Sequence, residues 1–114
     1  MEETIFDKIL AGDIPADKVF EDDHVLAFRD VNPRAPVHVL VIPKKKVVTF
    51  TELKDRETEE VGLFFQRVAE VAEQLGLDEE GYRIVMNKGK HGQQTVHYIH
   101  AHILGGRQMS WPPG

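Results

Sequence analysis

Apolar residues recur along this chain at two spacings, and each spacing predicts one kind of secondary structure. Intervals of three and four residues, typical of an amphipathic helix, run through 5–10 and 55–75. A glycine lies just beyond each segment, where it can end a helix. Thr4 and Asp7 form a variant of the capping box at the first segment. The pattern therefore predicts one short and one long helix, and the buried face of the long helix is expected to comprise Val61, Phe64, Phe65, Val68, Ala72 and Leu75.

Short apolar runs between turn residues predict five strands, at 19–21, 25–28, 38–42, 82–87 and 96–104. The order of short helix, three strands, long helix and two strands favours an α+β domain with an antiparallel sheet covered by helix. Some strands are apolar at consecutive positions, so both faces of the sheet are expected to be covered. A second chain is one way to cover a face. The Pro-rich tail, 107–114, is expected to be irregular.

Length and composition narrow the class of protein. The 114 residues suit one domain spanning 1–114, and 41% hydrophobic residues are enough for a core. A formal charge of −5 argues against nucleic-acid binding, which needs concentrated positive charge. The absence of cysteine excludes disulfides and thiolate metal sites. The acidic N-terminus is unlike a signal peptide and no apolar run is long enough to span a membrane, so a cytoplasmic location is expected.

The candidate chemistry lies on the last predicted strand. Because side chains alternate across a strand, Tyr98, His100 and His102 are expected to share one face as the wall of a site, while His97 points the opposite way. Two neighbouring imidazoles can bind a metal, stabilise a phosphate, or combine a nucleophile with a proton donor. A metal would need a third ligand, for which His38 is the best candidate, because no carboxylate lies close to the pair in sequence.

The loop before this strand, 87–95, contains two glycines and several amide and hydroxyl side chains. Loops of this kind can bring backbone N–H groups close to a phosphate. Most glycine-containing loops are only turns, so composition alone does not identify a phosphate site. The loop runs directly into the histidine strand, and this position favours the phosphate interpretation.

The segment 96–104, with the two glycines that follow it, resembles the signature of the histidine triad (HIT) family. Other stretches are similar to the Hint branch of that family, and together they cover nearly the whole chain: 4–9, 14–16, 20–23, 26–30, 35–45, 81–83 and 104–114. The resemblance implies a HIT-like fold with a five-stranded antiparallel sheet, and a homodimer with a continuous sheet. It also implies a phosphoramidase that binds purine nucleoside monophosphates. Such an enzyme cleaves the P–N bond of adenosine 5′-phosphoramidate and aminoacyl-AMP-type adducts through a nucleotidyl-histidine intermediate.

The resemblance implies a role for each residue that matches the family. His100 matches the nucleophile, His102 the histidine that contacts the phosphate and leaving group, and His38 a supporting histidine. Trp111, in the tail, matches a tryptophan that approaches the partner's site across the dimer interface. The expected nucleotide-binding residues are Asp30 at the ribose hydroxyls, Asn87, Gln93 and Thr95 near the phosphate, and Ile5, Phe6, Ile9, Phe28 and Val31 around the base.

Several of these residues also have a simpler interpretation. Ile9 and Phe28 can be ordinary core, and Asp30 can cap the turn that begins at Asn32. The histidines can be structural and hydrogen-bonded. An exposed tryptophan would be unusual unless it packs against something, which favours an interface for Trp111.

Two positions depart from the family pattern. Tyr98 stands where the first histidine of the triad is expected, and Lys46 stands where Hint proteins usually carry another histidine. His97 cannot substitute directly, because a shift of one residue reverses the face of a strand. The alternative is therefore a nucleotide-binding protein with weak or lost hydrolysis. A more distant alternative is a zinc-binding dimer, although the main interpretation requires no metal or other cofactor.

Overall fold

A computed structural model describes residues 2–114. The chain begins with helix α1 (Ile5–Leu10) and continues through strands β1 (Lys18–Glu21), β2 (Val25–Arg29) and β3 (Val37–Pro43). A 3-10 helix (Phe50–Asp55), helix α2 (Thr58–Gln74), and strands β4 (Tyr82–Val85) and β5 (Ala101–Gly105) follow. The strands form one antiparallel sheet in the order β1-β2-β3-β5-β4. The predicted α+β class with a five-stranded antiparallel sheet is confirmed, and no element of regular structure lies beyond Gly105 in the described chain.

The long helix differs from its prediction at its start and on its buried face. It begins at Thr58, because the residues before it form the separate 3-10 helix. Phe65 was expected to be buried but is 37% exposed, whereas its neighbour Phe64 is buried. The buried side chains of α2 centre on Phe64, Val68 and Val71, and Phe65, about 100° around the helix from Phe64, lies at the margin of this face. Val71, outside the predicted set, is buried in place of Phe65.

The predicted strand 96–104 is regular only from Ala101 onward. Its partner β3 last pairs with it at Val41↔Ala101, and β3 ends two residues later at Pro43. The segment 96–100 does not pair with β3 and is bent at 96–98. Within it, the Ile99 N–H donates to the carbonyl of Val47, 2.7 Å away. The strand predicted at 82–87 is also shorter, because β4 ends at Val85.

Side-chain alternation divides the core into two clusters, one on each face of the sheet. The first is aliphatic except for Phe64 and lies between the sheet and α2; it comprises Val25, Ala27, Val39, Val41, Phe64, Val68, Val71, Ala72, Leu77, Ala101 and Ile103. The second packs beneath α1 and comprises Phe6, Ile9, Leu26, Phe28, Leu40, Ile42 and Tyr98. Both faces are covered, as predicted, and the chain's own helices provide the cover.

The N-terminal helix begins with the predicted capping box. The Thr4 side chain accepts from the Asp7 N–H at 3.3 Å, and the Asp7 carboxylate accepts from the Thr4 N–H at 2.7 Å. A helix of only six residues is too short to be stable alone. Its position therefore depends on the buried side chains of Phe6 and Ile9 and on polar contacts with the rest of the chain. No helix in residues 2–114 has both the length and the apolar character needed to cross a membrane.

Candidate functional site

Pairing of two central strands brings the histidines together on the α1 face. In the register of β3 and β5, Leu40 lies opposite His102 and His38 lies opposite Leu104. His38 and His102 are thus diagonal neighbours, and their ring centroids are 5.2 Å apart. His100 immediately precedes β5, and its ring centroid is 4.9 Å from that of His102. The structure therefore assembles three imidazoles from two segments that are far apart in sequence.

The protonation of His100 follows from one hydrogen bond. Its Nδ1 lies 2.7 Å from the backbone carbonyl oxygen of Tyr98, which can only accept, so Nδ1 carries the proton and donates. Burial lowers the pKa of His100, although the bond to Tyr98 and the Asp30 carboxylate oppose the shift, and the ring is neutral at pH 7. Among residues 2–114 no donor contacts His100 Nε2, so its lone pair is free there. The ring of Phe6 lies edge-on to His100 with a centroid distance of 5.0 Å.

A chain of hydrogen bonds also determines the protonation of His38 and His102. The backbone N–H of Arg34 donates to His38 Nδ1 at 3.0 Å, so a neutral His38 carries its proton on Nε2. That Nε2 lies 2.9 Å from His102 Nδ1, which must accept. His102 then carries its own proton on Nε2. Burial lowers the pKa of His38, with Asp30 opposing the shift, which favours this neutral form.

His102 Nε2 is the atom that the protein leaves unsatisfied. It is buried and has no hydrogen-bond partner within residues 2–114. Burial, reinforced by His100 and His38, lowers the pKa of His102 to about 4. Buried polar groups are normally paired, so an orphaned N–H beside the free nitrogen of His100 indicates a place for an acceptor on a ligand.

Asp30 lies at the edge of this cluster. One carboxylate oxygen accepts from the Asn32 N–H at 2.8 Å, which is the turn-capping contact expected from sequence. The other lies 3.5 Å from His38 Nε2. Asp30 therefore contributes negative charge to the histidine cluster. Its expected contact with ribose hydroxyls stays a prediction.

The apolar residues expected around a base divide into two groups. Phe6, Ile9 and Phe28 are buried in the α1 cluster, and the rings of Phe6 and Phe28 meet edge-to-face at 5.5 Å. Ile5 is 49% exposed and Val31 is 90% exposed. The first group forms the floor beside His100. The second lies at the surface, where it is available to a ligand.

The loop 87–95 is ordered by its own hydrogen bonds. The N–H groups of Gln93 and Gln94 donate within the loop, to Lys90 and Gly89, so these two N–H groups are already used. Gln93 has a positive φ of 58°. A side chain at Gly92 would meet the Lys88 carbonyl oxygen at 2.5 Å, so this loop path requires glycine there.

The polar side chains expected at the phosphate are near the surface. Gln93 and Thr95 are exposed and Asn87 is half-buried. Within residues 2–114, none of them hydrogen-bonds to a histidine of the cluster. Gln94, which sequence reasoning missed, holds the loop in place through Nε2, which donates to the Val48 carbonyl at 2.7 Å. A glutamine in a polar loop carries no sequence signal for such a contact.

The first triad position is part of the core. Tyr98 is fully buried, so its expected place in a polar site wall is wrong for its side chain. Its hydroxyl donates to the carbonyl oxygen of Pro43, and burial raises the pKa of the phenol, so it stays protonated. His97 is exposed and its Nδ1 lies 3.2 Å from a carboxylate oxygen of Glu2. Within residues 2–114 no hydrogen bond or ring contact joins His97 to the histidine cluster, but 96–100 lies outside the strand, so the orientation expected for His97 from strand alternation stays a prediction.

One group of side chains could in principle hold a metal ion. Ligand atoms of Asp30, His38 and His102 lie within 4.8 Å of one another, and nitrogen and oxygen donors suit zinc. However, the 2.9 Å contact between the two imidazoles is a hydrogen bond, and a metal would have to displace its proton. The contacts fit a proton relay more directly than a metal centre.

The tail carries the most exposed aromatic residue of the described chain. Trp111 is 81% exposed, and the guanidinium of Arg83 lies 5.9 Å from its ring centroid. Arg83 also donates to the Ser110 carbonyl at 3.0 Å, which holds the tail near β4. The expected contact of Trp111 with a partner's site stays a prediction.

The fold and the histidine cluster define a class of protein, the HIT-family hydrolases. The model of the HIT domain matches residues 11–109, and the chain belongs to this family. A HIT family hydrolase of Legionella pneumophila has a crystal structure that is similar to this one, with a TM-score of 0.92 and 48% identity. The match covers 98% of this chain and 100% of that one.

Curated relatives point to the Hint branch. The chain is 50% identical to the adenylylsulfatase HINT1 of Arabidopsis thaliana, covering 97% of this chain and 76% of that protein. It is 45% identical to the purine nucleoside phosphoramidase of Escherichia coli, covering 95% and 91%. It is 51% identical to a 14 kDa zinc-binding protein of Zea mays, covering 97% and 88%. The prediction of a HIT-family protein of the Hint branch is confirmed.

Proposed function

We propose that this protein hydrolyses the P–N bond of purine nucleoside phosphoramidates, with His100 as the nucleophile. The observation that carries the proposal is the pairing of two nitrogens: the free lone pair of His100 Nε2 and the unpartnered N–H of His102 Nε2. One can attack phosphorus while the other donates to an oxygen or nitrogen bound to it. The name of the Escherichia coli relative supports this choice of substrate class.

In the first step His100 Nε2 forms a bond to phosphorus and the P–N bond breaks. The leaving amine keeps the electron pair and takes a proton from solvent, while the Nε2–H of the neutral His102 donates a hydrogen bond to a phosphoryl oxygen. The Nε2–H of His38 donates to His102 Nδ1 and so keeps the proton of His102 on Nε2. The nucleotidylated His100 carries a positive charge.

In the second step water attacks the same phosphorus and the bond to His100 breaks. The hydroxyl of the water stays on the nucleotide, and its other proton returns to solvent. Both histidines are then in their starting form. Asp30 at the ribose, Asn87, Gln93 and Thr95 near the phosphate, and the apolar floor beneath the base complete the proposed binding site.

The test is steady-state hydrolysis of a fluorogenic adenosine phosphoramidate. We expect His100→Ala to lower kcat/KM by about 10³-fold or more, because the nucleophile is lost. His97→Ala is the matched control, since His97 is an exposed neighbour whose contact is with Glu2, and its kcat/KM should equal that of the unmodified protein. Equal rates for His100→Ala and the control would overturn the role of His100. Tight AMP binding without turnover by the unmodified protein would favour the binding-protein alternative.

The proposed partner is a second copy of the chain. Strand β4 is an edge of the sheet, and its Tyr82 and Ile84 are each 37% exposed. An exposed apolar edge with unpaired backbone groups can pair with another strand. The exposed Trp111 lies on the same side, near Arg83 of β4. Light scattering should give the mass of a dimer, and a monomer at micromolar concentration would contradict this.

Zinc binding is the second candidate function, favoured by the spacing of Asp30, His38 and His102. Metal analysis of protein purified without a His tag tests zinc binding separately from phosphoramidase activity. Stoichiometric zinc would support this candidate. Full phosphoramidase activity in metal-free protein would exclude a catalytic metal.

A further inference from the structure

Lys46 connects the N-terminal helix to the segment that carries His100. We propose that it is a positioning residue: its ion pair with Asp7 holds α1 against the sheet and so keeps Phe6 edge-on against His100. The proposal concerns the placement of the site, and its activity measurement rests on the proposed function. Two of its measurements need no turnover.

The contacts of the ammonium group are directed at α1. Lys46 Nζ donates to a carboxylate oxygen of Asp7 at 2.8 Å and to the Glu2 carbonyl at 2.9 Å. It also lies 5.5 Å from the ring centroid of Tyr98, within range of a cation–π contact. The same Asp7 oxygen accepts from the N–H and hydroxyl of Thr4, so the capping box and the ion pair share one atom.

This shared carboxylate is stabilised in its charged form. Burial would raise the pKa of Asp7, but the hydrogen bonds from Lys46 and Thr4 outweigh it and lower the pKa. The side chains of Lys46 and Asp7 are only 22% and 24% exposed. A pair of this kind is less screened by water than a surface pair. It can therefore hold a helix that is too short to be stable by itself.

The backbone at Lys46 and Val47 contacts the segment that carries His100. Arg56 donates to the Lys46 carbonyl at 2.9 Å, which anchors the residue. The next carbonyl, that of Val47, accepts from the Ile99 N–H at 2.7 Å, one residue before His100. The segment 46–47 thus contacts α1 through a side chain and the nucleophile's segment through its backbone. A substitution of Lys46 is therefore expected to change the distance between α1 and the segment that carries His100.

Phe6 is the residue of α1 through which the position of the helix affects His100. Its ring meets Phe28, Tyr98 and His100 at centroid distances of 5.5, 6.0 and 5.0 Å. If α1 moves away, the ring of His100 loses its apolar neighbour and water reaches the nucleophile. The binding floor is lost at the same time.

The experiment compares Lys46→Met, which keeps a long side chain without charge, with Lys46→Arg, which keeps the charge. We expect Lys46→Met to raise KM for the phosphoramidate and Kd for AMP by about tenfold, with a smaller change in kcat. Lys46→Arg should leave both KM and Kd close to the values of the unmodified protein. Hydrogen exchange should show faster exchange for the amides of α1 in Lys46→Met, with α2 unchanged. Lys54→Met, which removes an exposed lysine paired only with Asp55, is the matched control.

Asp7→Asn should reproduce the effects of Lys46→Met, and the double variant should be no worse than either single variant. Unchanged α1 exchange and unchanged AMP affinity in Lys46→Met would overturn the positioning role. If the unmodified protein has no phosphoramidase activity but α1 exchange and AMP affinity respond as expected, the proposed function fails while the role of Lys46 stands.

Discussion

The two faces of the central sheet are built from the same strands but carry different kinds of residues. Beneath α2 the side chains are aliphatic or aromatic, and the helix above them has 17 residues. Beneath α1 the same strands carry His38 and His102, and the helix has six residues. The first face stabilises the fold through apolar burial. The second face combines a smaller core with His38, His100 and His102, whose burial disfavours their protonation.

This difference suggests that the face beneath α2 provides most of the stability and the face beneath α1 provides the chemistry. A short helix held by a few contacts opens more easily than a long one, and binding sites are commonly found in such regions. We therefore expect changes beneath α2 to alter global stability and changes beneath α1 to alter the site. The predictions below test this separation, from the largest expected effect to the smallest.

The largest effect on stability is expected from Phe64→Ala. Phe64 is 5% exposed beneath α2, and its truncation should lower the free energy of unfolding by about 3–5 kcal/mol, with KM of the folded protein unchanged. Phe6→Ala, at a residue 4% exposed beneath α1, should cost less stability and raise KM instead. Urea denaturation and kinetics of both variants make the comparison. A larger KM effect from Phe64→Ala would show that the faces are not separable.

Mild acid should destabilise the protein through the α1 face. The folded protein holds the pKa of His102 at about 4, below its ordinary value of 6.5, so the unfolded chain takes up protons first as pH falls. The free energy of unfolding should be highest above pH 6.5. It should decrease by up to about 3 kcal/mol toward pH 4 from this group, and the lowered pKa values of His38 and His100 act in the same direction.

Denaturation at several pH values between 6.5 and 5 measures this effect before most carboxylates titrate. His102→Asn should flatten the dependence, whereas His97→Ala, at an exposed position, should leave it as it is. A dependence equally steep in His102→Asn would assign the proton uptake to other groups.

The smallest effect is expected from restoring the first histidine of the triad. Tyr98→His should leave kcat/KM within about threefold of the unmodified protein, because His100 is oriented by the backbone carbonyl of residue 98, whatever its side chain. Tyr98→Phe is the control, and it removes only the hydroxyl that donates to Pro43. A large rise in rate with Tyr98→His alone would show that the missing imidazole limits catalysis.

Sequence patterns predicted the local features well, because these depend on neighbouring residues. The capping box of Thr4 and Asp7 and the antiparallel sheet both follow from residue spacing and alternation. The predictions were wrong where the structure of a segment depends on residues far away in sequence. The strand expected at 96–104 begins only at Ala101, where its pairing with β3 starts, and no local pattern records where pairing with a distant strand stops.

The sequence by itself indicated the candidate residues: His100 and His102 two positions apart, His38 on a buried strand, and tyrosine and lysine at two positions where the resemblance to the family predicts histidine. Only the tertiary structure decided how these residues act. The pairing of β3 with β5 places His38 Nε2 against His102 Nδ1, and the Arg34 N–H then fixes which nitrogen carries each proton. Lys46 acquires its contact with Asp7 in the same way, across 39 residues of chain. Hydrogen bonds have direction and depend on distances of a few tenths of an ångström, so they exist only once the strands and helices have packed.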